Sequence, residues 1–226
     1  MVNQDELKKM AATEALKYIK SGMSVGLGTG STVKFFLEGL SLLVKDGMKI
    51  TGVPTSVETA RIARTLGITF NDEFTGKIDI DVDGADEIDP SGNLIKGGGG
   101  ALLREKIVAR NSSMVIIIAD EMKLKEEFIG AFKVPVEIFP FLHRNTIARI
   151  EELGGKCHLR NNGNFVTDNG NLVADCDFGM IKDPARLEPM IKLIPGVAEV
   201  GIFTSLCDMI ILGTPSGPRT IKIKKV

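Results

Sequence analysis

Apolar residues recur at helical spacing from the start of the chain. Between Gln4 and Ile19, the side chains of Leu7, Met10, Ala11, Ala15 and Ile19 fall near one face. "SVGLGTGST" then reads as a short strand entering a glycine turn, with Ser31 or Thr32 expected to cap the helix "STVKFFLEGLSLLV". "KITGVPTS" predicts a strand and "VETARIARTLG" a helix closed by Gly67. "KIDIDVDGAD" predicts a strand and loop, and "KGGGGALLREKIVARN" a glycine loop opening another helix. "MVIIIAD" is a continuous apolar run of the kind found in strands buried on both faces. Strands alternating with helices in this way predict an α/β fold around a mostly parallel sheet.

The pattern changes near Lys133. "VPVEIFP", the helix "NTIARIEELGG", short strands around "CHLR", "NFVTDNGN" and "LVADCDF", the helix "DPARLEPMIKLIPG" and then "VAEVGIFT" follow in turn. This order matches a split βαβ, ferredoxin-like α+β subdomain, and "VTDNGNLV" predicts a hairpin with an Asn169-Gly170 turn. "CDMIILGTPSGPRTIKIKKV" reads as two strands returning to the first sheet. The expected organisation is therefore a Rossmann-like α/β catalytic domain, residues 1–132 plus 206–226, with a small subdomain inserted at 133–205.

Composition narrows the function. Lys and Arg number 28 against 29 Asp and Glu, for a net charge of −1, which argues against a nucleic-acid binder with its basic face. No apolar run approaches the roughly 20 residues of a membrane span, and "MVNQDELKKM" is no signal peptide, so a cytoplasmic protein is expected. Cys157, Cys176 and Cys207 are scattered singly, and free thiols in a reducing compartment are expected of them. Only His143 and His158 are available for imidazole chemistry, so a carboxylate or lysine is the better candidate for proton transfer.

Three loops carry candidate chemistry. In "GLGTGST", Gly26 to Thr32, backbone N–H groups at a helix start favour an anion, and Thr29, Ser31 and Thr32 add hydroxyls suited to a phosphate. No Gly-Lys-Ser/Thr follows, and a third fingerprint glycine would fall at Ser31, so neither a P-loop nor a dinucleotide site is present. The second loop, "DIDVDGADEID", begins like a calcium loop at Asp79, but the twelfth position is Pro90 and the flanks alternate as a strand. Solvated charge is the expectation for Asp79, Asp81, Glu87 and Asp89. Asp83 and Asp86 differ, because they flank Gly84 and Ala85 where a strand's carboxyl end meets a loop. The third loop, "IKGGGGALLREK", sets four costly glycines after Lys96 and places Glu105 early in the next helix, where the helix dipole alone would also favour an acid. A phosphate cradle, paired carboxylates and a lysine with a glutamate suit proton transfer on a small phosphorylated metabolite.

In this order the three loops resemble those of the A-type ribose-5-phosphate isomerase family. Its "GxGTGST", "DGADE" and "KGGGxAxxxEK" signatures correspond to Gly26–Thr32, Asp83–Glu87 and Lys96–Lys106. The similarity runs on through "VPVEIFP", "TDNGN", "IPGV" and "GTPSG", with Gly100 standing where some members have alanine. The resemblance implies interconversion of ribose 5-phosphate and ribulose 5-phosphate through an enediolate, with no metal and no cofactor. By the same resemblance Glu105 is the general base, Lys96 stabilises developing negative charge, and Asp83 and Asp86 hold sugar hydroxyls, with Asp83 aiding ring opening. Thr29, Gly30, Ser31 and Thr32 form the turn at the phosphate end, and Gly84, Ala85, Gly97, Gly98, Gly99 and Lys123 complete the substrate contacts, with Lys8 a weaker phosphate candidate. A homodimer or homotetramer is implied. Sugar-phosphate sensors of transcriptional regulators share the scaffold, but the N-terminal segment is too short for a DNA-binding helix pair. A coenzyme A transferase-like enzyme would use a glutamate nucleophile and does not need the full motif set.

Overall fold

A computed structural model describes residues 3–224, so the ends of the expected catalytic domain, residues 1–2 and 225–226, lie outside the described residues. The chain runs α1 (Gln4–Leu16), β1 (Ser24–Leu27), α2 (Ser31–Lys45), β2 (Thr51–Pro54), α3 (Val57–Thr65), β3 (Ile80–Asp83), β4 (Glu87–Ile88) and β5 (Leu94–Ile95). It continues with α4 (Leu102–Arg110), β6 (Val115–Asp120), β7 (Val134–Ile138), α5 (His143–Glu151), β8 (Lys156–Leu159) and β9 (Leu172–Asp177). The last elements are α6 (Pro184–Lys192), β10 (Val197–Val200), β11 (Ile202–Phe203), β12 (Met209–Thr214) and β13 (Gly217–Lys222). Two compact units result. The first holds residues 3–85, 104–123 and 206–224, and the second 86–103 and 124–205. Relative to 133–205 this grouping adds 86–103, whose β5 pairs with β11, and 124–132, whose Ile129 bridges to Ile181.

The first unit is a six-stranded sheet in the order β13-β12-β6-β3-β1-β2. Its strands are parallel except β13, which closes an antiparallel hairpin with β12. β1 pairs with β2 on one side and β3 on the other, so the strand order reverses there, and the carboxyl ends of β1 and β3 flank the crevice where such sheets bind ligands. One core joins Ala11 and Ala15 of α1 and Phe36, Leu37 and Leu40 of α2 to Val25, Ile80, Ile116 and Ile211 of the sheet. Each fully buried large side chain of this kind contributes about 2 kcal/mol. A smaller cluster unites Val53, Ile78 and Val108, so α4 has its own apolar packing against the sheet.

Burial of both faces corrects the expectation of solvated acids. Asp81 is buried to 1% exposure on a strand paired on both sides. Glu87 and Asp89 are also buried, each receiving backbone donors. Glu87 accepts from the N–H groups of Gly130 and Phe132 and pairs with Lys125 at 3.1 Å. Asp89 closes the β4–β5 turn by accepting from the N–H groups of Ser91 and Asn93 and from the Asn93 amide. Only Asp79 of the four remains exposed. The segment that resembled a calcium loop is strand β3 and its approach.

The second unit contains a four-stranded antiparallel sheet, β10-β7-β9-β8, the order of a split βαβ fold. Its core draws on Ile150 of α5, Ile191 of α6 and Val134, Val136, Ala174 and Val200 of the strands. Two local expectations change. The 164–171 stretch forms no strand; a turn instead closes with Thr167 N–H donating to Asn171 O at 2.9 Å, and β9 pairs with β7 and β8. Cys157 and Cys176 are not free thiols but a disulfide, because antiparallel register sets them directly opposite on β8 and β9. Cys207 is buried. Among the described residues no helix is long and apolar enough to cross a membrane.

Candidate active site

In the first unit the glycine turn leaves β1 and enters α2. The N-cap is Gly30, at φ 131° and ψ 178°, a conformation that side chains disfavour. Ser31 and Thr32 therefore sit in the first turn of the helix, and the expected hydroxyl cap is absent. Gly28 lies hard against β3: a Cβ there would be 2.1 Å from Asp83 Oδ1 and 2.6 Å from its Cα. Thr29 is tied down twice. Its N–H donates to Asp83 Oδ1 at 3.0 Å, and its hydroxyl lies 2.7, 2.9 and 3.1 Å from those of Thr55, Ser56 and Thr59. These three residues, at the end of β2 and the start of α3, were missed by the sequence reading. A hydroxyl-rich "PTSVET" at a strand's carboxyl end was the available signal. Of the three hydroxyls expected to face a phosphate, that of Thr29 is thus engaged within the protein, while Ser31 is exposed and Thr32 half-buried.

Asp83 ends β3, 1% exposed, and also accepts from the N–H of Gly84 at 2.7 Å. Charge-assisted bonds from two backbone N–H groups fix its carboxylate at the head of the loop. Ala85 is the last residue of this segment in the first unit. Further along the same unit, Glu105 occupies the first turn of α4 with 3% exposure. Lys123 ends a 3₁₀ turn, Glu121–Lys123, that directly follows β6, and its side chain is half-buried. Lys8 lies on α1 with its ammonium 3.4 Å from Asp5. Asp79, before β3, accepts from both the N–H and the hydroxyl of Ser24, at 2.8 Å each. The backbone bond first and then the hydroxyl hold its carboxyl below the usual range, against a smaller opposing effect of burial.

The second unit holds the other candidates. Asp86 accepts from the N–H of Gly98 through Oδ2 at 2.8 Å, and a Cβ on Gly98 would lie 2.5 Å from Oδ1. Lys96 is 3% exposed; its N–H donates to Gly201 O at 2.8 Å, and its ammonium lies 5.5 Å from the Phe203 ring centroid. Gly97 adopts φ 99° and accepts from the N–H of Gly100 at 2.9 Å, so the loop closes a tight turn just before α4. Gly99 lies between them. Among the described residues no group of three or more His, Cys, Asp and Glu side chains is arranged to hold a metal ion.

Known proteins resemble this chain over nearly its whole length. The profile of the family described as ribose 5-phosphate isomerase A (phosphoriboisomerase A) matches residues 51–217. Ribose-5-phosphate isomerase A of Picrophilus torridus is 50% identical over 217 residues, covering 96% of this chain and 98% of that protein. The Thermoplasma volcanium protein of the same name is 44% identical, covering 96% and 92%. Among solved structures, ribose 5-phosphate isomerase A from Methanocaldococcus jannaschii superimposes with a TM-score of 0.91 at 40% identity, covering 96% of this chain and 99% of that one. A D-ribose-5-phosphate isomerase in complex with phospho-erythronic acid gives a TM-score of 0.93 at 39% identity, covering 97% and 99%. Both the sheet order and the loop sequences are thereby accounted for together: the chain belongs to the ribose 5-phosphate isomerase A family.

Proposed function

We propose that this chain interconverts D-ribose 5-phosphate and D-ribulose 5-phosphate by proton transfer at Glu105. The observation that carries the proposal is a carboxylate of 3% exposure in the first turn of α4, at the family's motif position. From aldose to ketose, Asp83 accepts the hemiacetal O1 proton and delivers it to O4 as the C1–O4 bond breaks. Glu105 then removes the C2 proton; the electron pair forms the C1–C2 double bond and the carbonyl pair moves to O1. The Lys96 ammonium stabilises the oxyanion that develops. The O2 proton then passes to O1; as O2 collapses to a carbonyl, the C1–C2 electron pair takes the proton back from Glu105 at C1, which gives the ketose. Asp86 binds sugar hydroxyls, Gly30, Ser31 and Thr32 receive the phosphate with Thr29 bracing the turn, and Lys123 adds a cation. Gly84, Ala85, Gly97, Gly98 and Gly99 supply backbone contacts.

A relative has been solved with phospho-erythronic acid. A carboxylate on a sugar-phosphate chain has the planar two-oxygen shape of an enediolate, which supports this route. We further propose a cytoplasmic enzyme of the non-oxidative pentose phosphate pathway that acts as a homodimer or homotetramer and needs no cofactor. Incubation with ribose 5-phosphate, with and without a chelator, tests the activity. Ketose should form equally in both; no turnover would remove the assignment, and loss with chelator would remove the metal-free route. Glu105→Gln should lower kcat by at least about 100-fold while retaining binding, the scale of general-base catalysis.

A further inference from the structure

The loop of Gly97, Gly98, Gly99 and Gly100 is the segment with the most conformational freedom to lose, since glycine sacrifices more on ordering than any other residue. It is nevertheless held in one conformation, and the restraint comes from a side chain far away in sequence. Arg160, just after β8, donates from Nη1 to both Gly97 O and Gly98 O at 3.0 Å. The Gly97 carbonyl and the Gly98 N–H belong to one peptide unit, and that N–H donates to Asp86. Because the peptide is trans, its carbonyl and N–H point in opposite directions. The guanidinium and the Asp86 carboxylate therefore grip one peptide plane from its two sides.

The grip is itself rigid. Asp175 of β9 accepts from Nε at 3.0 Å and from Nη2 at 2.5 Å, leaving Nη1 for the loop. The Phe165 ring covers the guanidinium, with its centroid 5.3 Å from Cζ. A planar fork can bind a carboxylate along one edge and two carbonyls from the remaining nitrogen; a lysine ammonium cannot span both.

We infer that Arg160 is a positioning residue for the isomerisation, orienting the Gly97–Gly98 peptide and through it the carboxylate of Asp86. The inference rests on the assignment of Asp86 to sugar hydroxyls. Loss of the clamp leaves the loop to be ordered at the expense of binding, so KM is the sensitive parameter.

The test is steady-state kinetics with ribose 5-phosphate on wild type, Arg160→Lys, Asp86→Asn and the double variant, with thermal unfolding of each. Arg160→Lys should raise KM by about tenfold with kcat within about threefold, and Asp86→Asn should cost less in that background than in wild type. Amide hydrogen exchange at Gly98 should accelerate in folded Arg160→Lys, a readout that does not depend on turnover. If Arg160→Lys fails to fold, Asp175→Asn, which loosens the same fork, should show the KM rise and faster exchange. An unchanged KM and unchanged Gly98 exchange in a folded variant would overturn the inference while leaving the isomerase assignment standing. No turnover by wild type would remove both.

Discussion

The two acids of "DGAD" do the same thing in two different settings. Asp83 accepts a backbone N–H from Thr29 in the first glycine turn, and Asp86 accepts one from Gly98 in the second glycine loop. The first turn is held by sterics, for Gly28 presses on the backbone of β3 and the Thr29 hydroxyl is locked among Thr55, Ser56 and Thr59. The second is held by side-chain hydrogen bonds, above all those of Arg160. A turn packed on a sheet is part of the fold, whereas a hydrogen-bonded loop can be loosened without unfolding its unit.

Substitutions separate the two loops, the largest effect first. Gly28→Ala should cost about 3 kcal/mol of folding stability by denaturant titration, because backbone atoms of Asp83 cannot yield to the new methyl. A loss below about 1 kcal/mol would show that this turn, too, is soft. Gly98→Ala meets only the far end of the Asp86 side chain, so its stability cost should stay under about 1 kcal/mol. The displaced carboxylate should still lower kcat/KM by about tenfold, or 1.4 kcal/mol. If Gly98→Ala unfolds the protein while leaving activity per folded molecule intact, the two loops are alike.

The smallest effect lies at Asp79, beside β1 yet outside both loops. Its lowered pKa means that the folded state prefers the carboxylate, so its contribution is present above the ordinary carboxylate pKa and is lost as pH falls below about 4. Asp79→Asn should cost about 0.5 kcal/mol at neutral pH, a figure reduced for solvent exposure. The gap between the two proteins should close on acidification. A gap that persists at pH 2 would mean that the charge is not what Ser24 stabilises.

Much of the first unit was legible because its signals are local. The apolar run of β6, the helix "STVKFFLEGLSLLV" and the strand–turn–helix junctions need only neighbours in sequence to be read. Periodicity also laid out β7, α5, β8, β9, α6 and β10 in their split βαβ order. Where local reasoning failed, the deciding partner was distant. Asp81 looked solvated because alternation on a strand implies one wet face, yet this strand lies inside a sheet covered on both sides.

The α/β class, the order of the elements and the three candidate loops with Asp83, Asp86, Lys96 and Glu105 are written locally in the chain, since propensity and motif spacing act over a few residues. That Cys157 faces Cys176, that Thr29 meets Thr55, Ser56 and Thr59, and that Arg160 reaches Gly97 and Gly98 follow from the folded chain alone. Strand register and chain return set those pairings, and neither leaves a periodic trace near the residues it brings together.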